Sequence, residues 1–544
     1  MKLLWLDLNS SYAHSSLALP ALHAQIATNT SIEWDIVSAT INENAGMIAR
    51  DIFRRQPDIV AATNWLFNHE QLLHILSRVK ALLPQCCIAL GGPEFLGENN
   101  DFLHKNPFVS CVFRGEGEEV FPLWLKCWNR PDEWNDITGL CYLDSNALYH
   151  DNGIARVMNF AQLAPPEKSS LFNWSKPFVQ LETTRGCFNT CAFCVSGGEK
   201  PVRTLEIDAI RERLIEIHRH GIKNVRVLDR TFNYNNNRAK ALLHLFLEFS
   251  PHICFHLEMH PALLSEELKK ELALLPPGLL HLEAGIQSLR EPVLEQSRRI
   301  GKLSDALDGL KYLSSLSNME THADLIAGLP LYHLEEIFED VRTLAGFGVG
   351  EIQLESLKLL PGTEMRRRAE ELGICYAPLP PYEVLQTREI SVDELQTARQ
   401  LSRLLDGFYN TPAWRSITRR LILALPGFLH HFLDHLIQAG LIDQPLSLEK
   451  RGLLLYEFCK AHYPTFRTAV SIAWIEAGMS LKKLPAESVR TKRQLPPDTW
   501  EVVYGTYRDE LRLCFLPDEE TGTGYWFGFE AEIQKVEPVF KAQN

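Results

Sequence analysis

The sequence predicts an α/β protein in three parts: an N-terminal doubly wound, Rossmann-like domain, a central partial (β/α)6 TIM-like barrel and a mainly helical C-terminal domain. Three observations carry this expectation. Short apolar runs alternate with helix-period patterns from Met1 to about Tyr149, the alternation resumes from about Pro177 to about Thr387, and helical periodicity dominates beyond Ser391. A chain of 544 residues is too long for one ordinary core. The expected divisions are residues 1–150, a linker at 151–176, then 177–387 and 388–544.

In chain order, Leu3 to Leu8, Trp34 to Ile41, Asp58 to Thr63, Cys87 to Leu90 and Val109 to Phe113 read as strands of a parallel sheet. Ser15 to Ala27, Ala45 to Arg54 and Glu70 to Leu83 carry apolar residues at three and four spacing, so they read as the intervening helices. Ligands on such sheets bind beyond the carboxyl ends of the strands. Polar loops fall there: Asn9 to Ser16, Asn64 to Asn68, Gly91 to Glu94 and Arg114 to Glu119. Turn-forming Asp151-Asn152-Gly153 and Pro165-Pro166 mark the linker, with a small hairpin expected over Asp144 to Asn159.

The central part opens with an extended run, Phe178 to Thr184, and then a loop holding Cys187, Cys191 and Cys194 at CxxxCxxC spacing. Three thiolates on one short loop suit three irons of a cubane [4Fe-4S] cluster, leaving the fourth iron to a ligand that is not protein. Zinc commonly takes four protein ligands in a structural site, and no fourth Cys or His lies close in sequence. Gly186, Gly197 and Gly198 let backbone approach a bulky cofactor. Leu205 to His220 then reads as a helix closed by Gly221. Strands follow at Asn224 to Asp229, Ile253 to Glu258, Leu280 to Gly285, Glu320 to Ile326 and Gly350 to Leu357. Right-handed crossovers turn six such units into a curved partial barrel with its site at the carboxyl ends of the strands.

In the C-terminal part, helices are expected over Val392 to Gly407 and Ser416 to Ala439, the second broken at Pro426-Gly427. Short strands are expected over Trp500 to Tyr507 and Leu511 to Phe515. His431 and His435 stand at i and i+4 without the intervening Glu of HExxH, which argues against a metal there.

A net charge of −13 argues against a nucleic-acid-binding surface, and no apolar run is long enough to span a bilayer. The N-terminal MKLLWLDLN reads as a first strand better than as a signal peptide. With twelve cysteines in no disulfide-like framework, a cytoplasmic protein is expected.

The CxxxCxxC loop, with Phe193 before its third cysteine, resembles the radical S-adenosylmethionine (radical SAM) superfamily. The resemblance implies that the open iron chelates S-adenosylmethionine and that its reductive cleavage gives a 5'-deoxyadenosyl radical. Strand ends extend the likeness: Asp229 in Leu228 to Asn233, Glu258 in Glu258-Met259-His260-Pro261, Gln287, Arg299, and Asp324 in Asp324 to Pro330. Carried over, Arg299 pairs the S-adenosylmethionine carboxylate, while Gln287 and Asp324 hold its ribose. Gly91-Gly92-Pro93-Glu94 and Arg114-Gly115-Glu116 resemble the cobalamin-binding domain that precedes the barrel in a large subgroup. His14 falls in the loop of the DxHxxG cobalt-ligand motif, but that motif's Asp and Gly are absent, so it is expected as a pocket residue. The likeness implies a cobalamin-dependent enzyme performing methyl transfer or another radical modification, with an electron donor such as flavodoxin or ferredoxin, as a monomer. Two other readings are a tRNA methylthiotransferase-like enzyme, which needs three further cluster cysteines, and a non-catalytic cobalamin or redox sensor.

Overall fold

The computed structural model describes residues 1–14, 16–26, 31–494, 511–518, 521–530 and 540–543. Its N-terminal part alternates β1 (Lys2–Asn9), α1 (Ala18–Ala24), β2 (Glu33–Thr40), α2 (Ala45–Arg55), β3 (Ile59–Thr63), α3 (His69–Leu82), β4 (Cys87–Gly91), α4 (Asn100–Lys105), β5 (Cys111–Phe113) and α5 (Val120–Leu125). β1 runs parallel to both β2 and β3, and β4 and β5 continue outward from β3. The order β2-β1-β3-β4-β5 is doubly wound, with its switch point between β1 and β3. Alternation along each strand divides the core. Leu4, Leu6, Val60 and Ile88 pack with α2 and α3, while Leu3, Trp5, Ile59 and Ala89 pack with α1 and α5.

Two details differ from expectation. Helix α1 begins at Ala18, where the Ser16 hydroxyl accepts from the Ala18 amide, so Ser16 and Leu17 are loop, and the expected helix ends at Ser15 and Ala27 lie outside the described residues. The sheet is also not wholly parallel. Its edge is a hairpin, β6 (Leu140–Leu143) and β7 (Tyr149–Asp151), antiparallel to β5. The hairpin lies earlier than the expected Asp144 to Asn159 because Asp144 Oδ1 accepts from Asn146 and Leu148 and closes the turn there.

The chain divides into two compact units, residues 1–333 with 356–395, and residues 334–355 with 396–544. The first unit continues through β8 (Val179–Leu181), the two-stranded β9 (Thr184–Arg185) and β10 (Arg203–Thr204), α6 (Ile207–Arg219), β11 (Asn224–Val227), α7 (Asn236–Leu247), β12 (Cys254–Met259), α8 (Glu266–Leu274), β13 (Leu280–Gln287), α9 (Glu291–Gln296), α10 (Leu303–Ser315) and β14 (Glu320–Ala327). β8, β11, β12, β13 and β14 lie side by side and parallel, in sequence order. Side chains of Asn235 and Ser265 accept from Arg238 and Leu268 amides and start α7 and α8. On β13 the buried face is Leu280, Leu282, Ala284 and Ile286, leaving His281, Glu283, Gly285 and Gln287 on the other.

Helix α11 (Leu334–Phe347) and the sixth expected barrel strand, β15 (Glu351–Ser356), fall in the second unit. Back in the first, Thr363 caps α12 (Glu364–Arg367), which precedes α13 (Ala369–Leu372) and the hairpin β16 (Cys375–Tyr376) with β17 (Val384–Gln386). Helix α14 (Val392–Leu404) passes into a π-helical turn, Leu405–Tyr409. The second unit contains α15 (Pro412–Ala424) and α16 (Phe428–Gln438), separated at Pro426-Gly427 with Gly427 in the left-handed region. It continues with α17 (Leu448–His462), α18 (Arg467–Glu476) and an antiparallel sheet, β18 (Val489–Gln494), β19 (Leu511–Asp518), β20 (Thr523–Phe529) and β21 (Phe540–Gln543). The expected strand at Trp500 to Tyr507 lies outside the described residues. His431 is hydrogen-bonded to the Tyr463 hydroxyl at 2.8 Å, and His435 packs on Phe458.

Candidate active site

The cysteine loop leaves the carboxyl end of β8 and is gathered at its base by β9 and β10, where Arg185 faces Arg203. Backbone bonds fold it tightly: Cys187 donates to Glu199, Cys194 to Cys191, Gly197 to Cys194 and Gly198 to Asn189. Gly197 is required by contact, since a Cβ there would stand 2.3 Å from the Cys191 carbonyl oxygen. The barrel holds the loop from the far side. Ala192 donates to Ser297, Met365 donates to Ala192, and Asn189 Oδ1 accepts from Ile300.

Cys187 and Cys191 are buried and Cys194 is half-buried, close enough that their charges would interact. Burial pushes the Cys191 and Cys194 thiols up, and Arg299 pulls Cys191 back down. Sulfurs sharing one zinc at about 2.3 Å would stand within about 4 Å of each other. Among the described residues the metal-ligating atoms gathered within 4.8 Å are those of His281, Glu320 and His322, not these sulfurs. The wider spacing fits a cubane cluster better than a single ion. Phe193 is half-buried within the loop.

Beside the loop, four expected S-adenosylmethionine residues converge. Arg299 Nη1 lies 3.7 Å from Cys191 Sγ, and its other terminal nitrogen donates to the Gly285 carbonyl. Gln287 sits in the left-handed region at a β-bulge, and its Nε2 is 2.6 Å from where a Gly285 Cβ would be. Asp324 Oδ2 lies 3.9 Å from the same point, while Asp324 Oδ1 is buried with no hydrogen-bond partner. Burial, then Glu283 beside it, pushes the Asp324 carboxyl well up. An orphaned buried carboxylate oxygen beside an Arg and a bare glycine fits a polar nucleotide edge. Glu258 is raised to about 6, first by burial, with Arg230 opposing.

Asp229 has a different role from the one expected. Its carboxylate accepts from the amides of Thr183 and Thr184 and from the Thr183 hydroxyl, so it is spent on the backbone that launches the cysteine loop. His260, quoted above only as part of a strand end, is a residue that sequence reasoning did not weigh. It is buried, its ring stands edge-on to Phe188 of the loop at 5.8 Å, and neither ring nitrogen has a hydrogen-bond partner. The signal available was its place directly after Glu258 and Met259.

A cavity of about 600 Å³ opens between the N-terminal sheet and the barrel. On one side stand His14, Trp65, Gly91 to Pro93 and Gly115 to Glu118; on the other, Gln180, Glu182, Gly186, Ser196 and Arg230. The lining also includes Ala61 and Ala89 of the sheet and Ala21 and Phe121 of α1 and α5. His14 is exposed on the cavity wall, edge-on to Phe178. Trp65, stacked with Phe67, is a wall residue the sequence did not single out.

Four of the expected cobalamin residues serve the chain itself. Glu94 turns away to accept from the Tyr382 hydroxyl at 2.6 Å, and Arg114 pairs with Asp151 at 2.8 Å. Gly92 and Gly115 both have positive φ, and a Cβ would strike the Asn64 and Ala155 carbonyl oxygens, so close chain packing demands them. Glu116 reaches the cavity wall while bound by Arg203, and despite its burial Arg203 and the Val157 amide hold its carboxyl below the usual range.

Comparison with known proteins agrees with this geometry. Residues 181–344 match the Radical SAM superfamily model, and residues 370–471 match a protein of unknown function, DUF4080. An uncharacterized methyltransferase, PH0819, of Pyrococcus horikoshii is 24% identical over 329 residues, covering 58% of this chain and 70% of that protein. The cobalamin-dependent radical SAM methyltransferase TokK of Streptomyces tokunonensis is 21% identical over 357 residues, covering 60% of this chain and 51% of TokK. Among solved structures, the cobalamin-dependent S-adenosylmethionine radical enzyme OxsB with aqua-cobalamin bound superposes with a TM-score of 0.60 at 15% identity, covering 87% of this chain and 78% of that one. With the loop, the strand ends and the facing cavity in place, this chain carries a radical SAM superfamily domain over residues 181–344 within the fold of the cobalamin-dependent radical SAM enzymes.

Proposed function

We propose that the protein is a cobalamin-dependent radical SAM enzyme that transfers a methyl group to, or otherwise modifies by a radical route, a substrate held in the cavity between its N-terminal sheet and its barrel. The observation that carries this reading is the shared cavity, which has the carboxyl ends of β3, β4 and β5 on one wall and the cysteine loop on the other. When bound, the cluster supplies the electron that cleaves S-adenosylmethionine, and cobalamin carries the methyl group. Cys187, Cys191 and Cys194 would hold the cluster, leaving a site on it for S-adenosylmethionine. Arg299 takes the nucleotide's carboxylate, Asp324 and Gln287 its ribose, and Glu258 stands behind them on β12.

A second, methylthiotransferase-type cluster finds no support in the N-terminal cysteines. Cys86 and Cys141 lie in the core on one face of the sheet, and Cys87, Cys111 and Cys127 lie on the other. All twelve cysteines are unpaired, which supports a reducing, cytoplasmic setting and delivery of electrons by a small donor such as flavodoxin or ferredoxin. No helix among the described residues is long and apolar enough to cross a membrane. The test is anaerobic reconstitution with iron, sulfide and methylcobalamin, followed by assay for 5'-deoxyadenosine and S-adenosylhomocysteine. Formation of both supports methyl transfer. Cobalamin binding without cleavage of S-adenosylmethionine under any reductant supports a sensor instead.

A further inference from the structure

At the end of the barrel away from the cysteine loop, histidines stand on three neighbouring strands near their amino termini. His256 is the third residue of β12, His281 the second of β13 and His322 the third of β14. Parallel register sets His256 opposite His281, and His281 opposite Glu320. His281 Nε2 lies 2.8 Å from His322 Nε2, with the two rings nearly perpendicular. The ligand atoms of His281, Glu320 and His322 all lie within 4.8 Å of one another. Behind them, His256 stacks on His281 and is itself held by Glu283 at 3.0 Å. Two imidazoles and a carboxylate form the donor set of a borderline divalent cation, and three protein ligands leave a fourth position for water.

We infer that His281, Glu320 and His322 form a zinc-type divalent-cation site at the amino-terminal mouth of the barrel, separate from the cysteine loop. Glu320 is exposed and gives the ion its entry, while His256 fixes the ring of His281 as an outer partner. The ion would tie β13 to β14 at the end where no cofactor is expected.

The test uses the full chain with Cys187→Ala, Cys191→Ala and Cys194→Ala, so that the loop takes no metal, dialysed against Zn2+ and analysed by mass spectrometry. About one zinc per chain is expected, lost on adding His281→Gln and His322→Gln. The same two histidine changes in the chain with its three cysteines should load iron and sulfide to the parent level, which shows that the fold is intact. Glu320→Gln, at an exposed position, should weaken zinc about tenfold or more. Zinc retention indifferent to all three ligand substitutions, or no zinc in the chain that lacks its three loop cysteines, would overturn the site and leave a hydrogen-bonded histidine pair only.

Discussion

Arg203 grips Glu116 through both terminal nitrogens, at 2.7 Å each, and so ties the base of the cysteine loop to the strand-end loop of the N-terminal sheet. Arg185 makes a second tie beside it, to Glu118 and Glu182. Glu116→Gln should cost about 2 kcal/mol, below the figure for a fully buried pair because both side chains keep some contact with water. Cobalamin affinity should fall while iron content holds, measured by spectrophotometric titration. Because the folded Glu116 carboxyl lies below its unfolded value, the tie is present at neutral pH and is lost as pH falls through the acid range, a loss the variant should not share.

Asp229 accepts three hydrogen bonds from Thr183 and Thr184 and is 1% exposed. Asp229→Ala leaves three buried donors unmet and should destabilise the chain by about 3 kcal/mol, read by denaturant unfolding. Iron content should fall with it. The fraction of chains that still hold a cluster should bind S-adenosylmethionine with unchanged affinity, whereas a direct ligand would lose it.

Gly197→Ala places a methyl against the Cys191 carbonyl. Iron and sulfide analysis after anaerobic reconstitution should show loading reduced to a minor fraction, while Gly346→Ala, within α11 and with its nearest neighbour at an ordinary 3.7 Å, should load normally.

Arg299→Lys retains charge but loses the fork that reaches both Cys191 and Gly285. S-adenosylmethionine affinity should drop about tenfold or more, equivalent to about 1.4 kcal/mol, with iron content preserved. Equilibrium dialysis with labelled nucleotide measures it.

Burial raises the Glu258 carboxyl to about 6, above an unfolded value near about 4.3. The folded state therefore binds the extra proton between these values, and the stability that this proton contributes at low pH is lost as pH rises through about 6. Glu258→Gln carries no such loss. Its melting temperature relative to the parent should increase from pH 5 to pH 7.5, and a flat difference would show that the carboxyl titrates normally.

The order of strands and the cysteine loop were legible because both are local: period-two and period-3.6 patterns, and a three-thiol spacing within eight residues. What stayed hidden depends on distant partners. Nothing near Glu94 announces that Tyr382 will claim it, and nothing near Asp229 distinguishes a nucleotide contact from the amides of Thr183 and Thr184. The edge hairpin was expected but placed too late, because its first strand, Leu140 to Leu143, is only four residues long and too short to separate from what precedes it. Gly92 and Gly115 were noticed for a cofactor, whereas carbonyl oxygens elsewhere in the chain demand them.

The run Ser297 to Ile300 supports the cysteine loop through Ala192, Thr190 and Asn189, and it also carries Arg299. Fastening and grip are thus a single short piece of backbone. A substitution that displaces the backbone at Arg299 therefore disturbs, one or two residues away, the hydrogen bonds that hold the loop on either side of Cys191.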